Sequence, residues 1–121
     1  MGDISEHFSE WEFRCHGARR KEHPPHGTVV QPQLLEALEE LRFIVGRPLT
    51  IVSGFRCEWW NRRVDGADRS MHVTGHAVDL PWGVVRQHQA ERAGFRGIGT
   101  ERGYAIHVDV RSRAARWSYP R

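Results

Sequence analysis

Lysine is almost missing from this chain. Lys21 stands alone against 17 arginines, a bias that reads as a GC-rich coding sequence rather than as a functional signal. Cysteine is nearly as scarce: Cys15 and Cys57 are the two present, and neither belongs to a CxxC pair. That excludes a redox or zinc motif of that type. One disulfide is expected if the protein works outside a reducing cytosol, and two free thiols otherwise. No run of about 18 apolar residues occurs, so no membrane-spanning helix is expected. The first residues, Met-Gly-Asp-Ile-Ser-Glu, lack the basic and apolar regions of a secretory signal. There is no internal repeat and no low-complexity tract.

What is present fits one globular domain spanning residues 1–121. Apolar residues make up 39% and charged residues 27%, enough for a single modest core. The formal charge is +3 and the pI about 9.4, a balance that favours anionic partners such as nucleic acid, wall polymer or lipid. The charge is dispersed. Arg19-Arg20-Lys21 and Arg62-Arg63 are the basic clusters, and both read as solvated loop rather than as a nucleic-acid footprint. Monomer is the default expectation.

Element signals alternate along the chain. Ser9 and Glu12 have capping-box spacing ahead of a short helical turn, with Phe8, Trp11 and Phe13 as its core anchors. Residues 15–28 read as a polar loop in which His16, His23 and His26 are scattered. Residues 32–45 form the best helix: Pro32 suits its first turn, and Leu34, Leu35, Leu38, Leu41 and Val45 keep helical spacing. Glu36, Glu39 and Glu40 are its wet face, and Gly46 ends it. Strands are expected at residues 49–53, 77–80, 95–99 and 104–110, the last two joined by a turn at Arg102-Gly103. Helices are expected at residues 58–64 and 82–93, with a turn at Asp65-Gly66. The expected fold is α+β, a small antiparallel sheet with flanking helices.

Two stretches carry chemistry. Ser70 to Asp79 reads Ser-Met-His-Val-Thr-Gly-His-Ala-Val-Asp, and Ile106-His107-Val108-Asp109 follows later. Together they offer two imidazoles and a carboxylate, a donor set that suits a catalytic Zn²⁺ with water in the fourth position. Strand alternation predicts Ile106, Val108 and Val110 in the core, with Ala105, His107 and Asp109 on the other face. Val78 and Leu80 buried would turn Asp79 outward, and the loop after Ser70 would return His72 over it. His76 falls between the two donors and is expected to be no ligand. Trp59 and Trp60 read as core or groove lining.

The pattern Ser-x-His-x-x-Gly-x-Ala-x-Asp with a later His-Val resembles the M15 peptidases. These are zinc D-alanyl-D-alanine carboxypeptidases and related peptidoglycan endopeptidases. The opening His-Phe-Ser-Glu-Trp-Glu-Phe-Arg-Cys resembles the lead-in of short family members. Ser53-Gly54-Phe55-Arg56-Cys57, with Asn61 and Val64 in register, is similar to their Ser-Gly-(Tyr/Phe)-Arg element. Gly97-Ile98-Gly99 and residues 106–111 are similar to their closing strands, and Arg116-Trp117 to their tail.

The resemblance implies a hedgehog/DD-peptidase-like zinc fold with Zn²⁺ held by His72, Asp79 and His107. It also implies that Arg56 contacts substrate, at the scissile carbonyl or at a terminal carboxylate. Many family members carry an acid three positions before the last zinc histidine; here that position is Tyr104. Asp109 is therefore the first choice of general base, with Glu101 the alternative and orientation of His107 the other role open to Asp109. Ser70 and Tyr104 are candidate substrate contacts.

The expected activity is hydrolysis of peptide bonds in peptidoglycan stem peptides at D-alanine, as carboxypeptidase or endopeptidase. A phage or prophage lysis enzyme, made in the host cytoplasm and acting in the wall or periplasm, is the expected setting. A non-catalytic zinc-containing binding domain of hedgehog-like type is the alternative. A nucleic-acid binder is the third reading and the weakest, since no aromatic-basic surface appears.

Overall fold

The computed structural model describes every residue except Met1, Asp65, residues 67–69 and Arg121. The expected turn at Asp65-Gly66 lies partly outside the described residues. Single 3₁₀ turns at Glu10–Phe13 and His16–Arg19 open the chain. Then follow α1 (Pro32–Val45), α2 (Glu58–Arg63), β1 (Ala77–Asp79), α3 (Gln87–Ala93), β2 (Gly97–Glu101), β3 (Tyr104–Asp109) and β4 (Ala115–Ser118).

Helix α1 has the bounds its periodicity predicts. Pro32 occupies the first turn, and Gly46, at φ 80°, adopts the left-handed cap and donates its N–H to the Arg42 carbonyl. Leu34, Leu38 and Leu41 are buried on one face, each contributing about 1.5–3 kcal/mol of apolar burial. They meet Phe8, Phe13, Val78, Val85, Phe95, Ile98 and Val108 in one core. Glu39 is not simply wet. Its carboxylate accepts from the Ser5 hydroxyl at 2.6 Å, the His7 N–H at 2.7 Å and the His7 ring at 2.6 Å, and so ties the N-terminal segment to α1. Trp11, expected as a core anchor, is 67% exposed, while Phe8 and Phe13 are buried.

The sheet order is β1-β3-β2-β4. β3 runs antiparallel to both neighbours, but β4 runs parallel to β2, so the sheet is mixed rather than wholly antiparallel. β4 lacks an apolar alternation to announce it. Its exposed Arg116 and half-buried neighbours are what an edge strand carries.

The strand expected at residues 49–53 shrinks to a single bridge. Val52 N–H donates to the Asp79 carbonyl and Asp79 N–H to the Ser53 carbonyl, and there the pairing ends. The chain then turns to the N-terminal segment, where Phe55 N–H donates to the Phe13 carbonyl. A Cβ on Gly54 would stand 2.8 Å from the Phe13 Cα, so only glycine allows this approach. The helix expected from residue 82 starts later, because Gly83 sits at φ 89° and breaks the helical run.

One irregularity re-aims the site strand. The β2–β3 ladder shifts register after Gly99, leaving Ile106 unpaired as a bulge. The expected alternation therefore inverts at that point: Ala105 joins the core and Ile106 leaves it. Past the bulge the expected pattern holds, with Val108 in the core and His107 and Asp109 on the opposite face.

A candidate metal centre between β1 and β3

Asp79 and His107 are direct neighbours across β1 and β3. Backbone bonds at His76–Val110 and Leu80–Ile106 flank them. By the two-residue alternation of antiparallel ladders, Asp79 and His107 form the narrow, non-hydrogen-bonded pair, in which side chains approach most closely. The Asp79 Oδ1 lies 3.2 Å from His107 Nδ1 and 3.2 Å from His72 Nε2. His72 arrives from the loop before β1, braced by its own N–H to the Ser70 hydroxyl at 3.2 Å. The three donor atoms lie within 4.8 Å of one another.

Each imidazole is held by its far nitrogen. His72 Nδ1–H donates to the Gly54 carbonyl at 2.8 Å, which leaves Nε2 to face Asp79. His107 Nε2–H donates to Asp109 Oδ2 at 2.7 Å, which leaves Nδ1 facing the same point. This is the outer support that metal-binding histidines ordinarily have, and it fixes both tautomers. Two neutral imidazoles and one carboxylate fit a divalent ion such as zinc, with room for a fourth ligand.

Asp109 is fully buried behind His107. Its Oδ1 accepts from the Arg111 N–H at 3.1 Å and from Nε at 2.8 Å, and its Oδ2 from Nη2 at 2.6 Å. Both oxygens are thus engaged by Arg111, and Oδ2 also by His107. A Cβ at Gly97 would collide with both oxygens of this carboxylate, so the closing strand needs glycine there.

The electrostatics follow from these contacts. Burial pushes the Asp79 carboxyl up, but hydrogen bonds from His107 and His72 outweigh it and hold the group well below the usual carboxylate range. Burial likewise raises Asp109, and the Arg111 and His107 contacts bring it well below that range. Burial alone would lower His107; the two carboxylates on either side raise it instead.

The centre opens into a cleft of about 360 Å³ lined by Arg56, Ser70, Met71, Arg111, Trp117 and Tyr119 besides the three donors. Arg56 is steadied by Nη1–H donation to the Asn61 side-chain oxygen at 3.0 Å. Glu101 lines an adjoining cavity that shares Asp79 and Tyr119 with the cleft. Tyr104 is placed elsewhere: its ring lies 4.8 Å from that of Trp82 and beneath the Arg86 guanidinium, and it is not among the described residues lining the cleft. Trp117 and Tyr119 are cleft residues that the sequence does not mark as such: Trp117 reads only as part of the tail, and Tyr119 is not singled out. Their one signal is two aromatics spaced by two, as on one face of a strand. His76 turns to the Thr74 hydroxyl at 2.6 Å.

No helix among the described residues is long and apolar enough to cross a membrane. A search of curated proteins found no match. The pattern of the family described as Peptidase M15 matches residues 6–109, which takes in both imidazoles, Asp79 and strands β2 and β3. Peptidase activity and dependence on a bound metal are what that family implies. With 104 of its 121 residues covered by that pattern, the chain belongs to the peptidase M15 family.

Proposed function

We propose that this protein is a zinc peptidase that hydrolyses peptidoglycan stem peptides at bonds involving D-alanine. The observation that carries the reading is the triangle of His72 Nε2, Asp79 Oδ1 and His107 Nδ1, opening into a cleft with Arg56 on its wall. When bound, Zn²⁺ supplies the Lewis acid that acidifies water and polarises the scissile carbonyl.

The chain's own groups do the rest. Arg56 presents a guanidinium fork to an anionic group, either the developing oxyanion or the terminal carboxylate of a stem peptide. Ser70 braces the His72 loop. Asp109, with both oxygens occupied, suits holding and polarising His107 better than receiving a proton. Glu101 is then the stronger candidate for the base that takes the proton of the attacking water and passes it to the leaving amine. Tyr104, packed against Trp82, suits support of the β2–β3 hairpin. The +3 charge suits an anionic wall, in keeping with a lysis enzyme of phage or prophage type.

Zinc-loaded and chelated protein incubated with a pentapeptide stem and a crosslinked dimer decide the matter by mass spectrometry. Zinc-dependent loss of one D-alanine identifies a carboxypeptidase, and conversion of dimer to monomers an endopeptidase. Cleavage of neither by zinc-loaded protein favours the non-catalytic binding domain, a reading supported by the tyrosine at position 104.

A further inference from the structure

A second group of metal-ligating side chains lies outside the M15 centre. The loop at residues 15–28 reads as polar sequence with scattered histidines, yet its fold gathers Cys15, His23 and His26 around Cys57 at the start of α2. His16 takes no part. The four donor atoms all lie within 4.8 Å of one another. Cys15 Sγ stands 3.8 Å from Cys57 Sγ and 3.7 Å from His23 Nε2. His23 Nε2 stands 3.2 Å from Cys57 Sγ and 2.8 Å from His26 Nε2.

These are close to the edges of a tetrahedron. Zn–S bonds of about 2.3 Å and Zn–N bonds of about 2.0 Å place two sulfurs about 3.8 Å apart, and a sulfur and a nitrogen about 3.5 Å apart. The His23–His26 edge is the short one, and opens by about 0.5 Å to reach that geometry. The sulfurs are too far apart for a disulfide, which holds them at about 2.05 Å, and both cysteines are free.

Protons satisfy the cluster poorly. His23 Nε2 faces two sulfurs and a second imidazole nitrogen, and a single N–H can serve only one of them. His26 Nδ1–H donates to the Gly27 carbonyl at 2.7 Å, which turns the lone pair of Nε2 inward. The ring of Trp59 stands edge-on to His23 at 5.2 Å, and that of Phe55 edge-on to His26 at 5.5 Å, fixing both imidazoles. A divalent cation accepts all four donors at once, and two thiolates neutralise its charge.

We propose that Cys15, His23, His26 and Cys57 form a structural Cys₂His₂ zinc site, separate from the M15 centre. With four protein ligands the site is closed and has no position for water, so its role is to hold the fold. It fastens the irregular loop at residues 20–31 to the start of α2, beside Arg56, which precedes Cys57 in the chain. Binding releases the thiol protons still present, and the loop gains a covalent anchor that its polar sequence does not otherwise supply.

Metal content of the reduced, zinc-dialysed full chain, read by elemental mass spectrometry, is the first test. The expected result is two zinc ions per chain in the wild type, one in the Cys15→Ser/Cys57→Ser variant and one in the His72→Ala/His107→Ala variant. Cobalt replacement in His72→Ala/His107→Ala should then show thiolate-to-cobalt charge-transfer absorption, which a nitrogen and oxygen site does not produce. Should the serine variant fail to fold, thiol alkylation of the wild type replaces it. Thiols shielded in zinc and exposed by chelator support the site. Equal alkylation with and without zinc, or a Cys15–Cys57 disulfide found by mass, overturns it. None of these outcomes bears on peptidase activity.

Discussion

The His107 ring bridges two carboxylates, with Asp109 Oδ2 2.7 Å from Nε2 on one side and Asp79 Oδ1 3.2 Å from Nδ1 on the other. The first contact orients the ring, and the second marks where the two residues would share a metal. Replacing Asp109 by Asn removes the charge behind His107 and one of the two accepting oxygens while keeping the shape. Zinc affinity should fall about 10–100-fold, the range found for outer supports of metal histidines. Chelator competition measures this directly. A drop in kcat with unchanged zinc affinity would return Asp109 to the role of general base.

Glu101→Gln separates the two candidate bases. Loss of a positioned proton acceptor typically costs about 10²–10⁴-fold in rate. The expected outcome is a kcat reduced by that order with zinc content and thermal stability unchanged. Unaltered kcat on a stem peptide would remove Glu101 from the mechanism.

The pH dependence of metal binding follows from His107. Its carboxylate neighbours raise its pKa above the ordinary value of about 6.5, so the metal must expel a proton already at mildly acidic pH. Zinc affinity should fall about tenfold per pH unit below that raised value. Calorimetry in buffers of different ionisation heat reports the released proton. A flat affinity between pH 5 and 7 (about the range of interest) would show that His107 is not a ligand.

Stability of the chelated protein should have a defined window. Asp79 and Asp109 are depressed in the folded state, so their contribution is present above about pH 4 and is lost as pH falls toward their lowered values. His107 is raised, so its contribution is full below about pH 6.5 and is lost as pH climbs through its folded value. Urea denaturation should therefore find the metal-free maximum between about pH 4 and 6.5. Zinc should move that maximum upward, because it replaces the proton on His107.

Gly97→Ala tests the packing of the centre. The new Cβ would overlap the Asp109 carboxylate and force apart the pair with Arg111. The cost should be about 1–3 kcal/mol of stability, the usual penalty of overpacking, together with weaker zinc binding. Equilibrium unfolding with and without zinc measures both. A neutral result would mean that Asp109 can shift without consequence.

The bounds of α1 are legible in the sequence because they follow from a 3.6-residue apolar repeat between Pro32 and Gly46, signals that act within one helix. The strand around Asp79 and the hairpin at Arg102-Gly103 are legible for the same local reason. Apolar flanks mark the one; Gly103 marks the other, where the structure places both Arg102 and Gly103 at positive φ. β4 is not legible, since an arginine-bearing edge strand carries little apolar pattern and is defined by its partner β2. The bulge at Ile106 is equally hidden, because register is a property of two strands rather than of one.

The chain by itself determined the donor types and their order: His72 and Asp79 around Gly75, then His107 and Asp109 two residues apart on one strand face. Local periodicity suffices for that, because neighbours in sequence constrain one another through the backbone. Only the tertiary structure decided which atoms meet. It turned His107 Nδ1 toward Asp79 by occupying Nε2 with Asp109, set Tyr104 against Trp82 instead of the cleft, and drew Cys15, His23 and His26 to Cys57 across more than thirty residues of chain. Such contacts depend on core packing between distant segments, and no spacing rule along the chain encodes them.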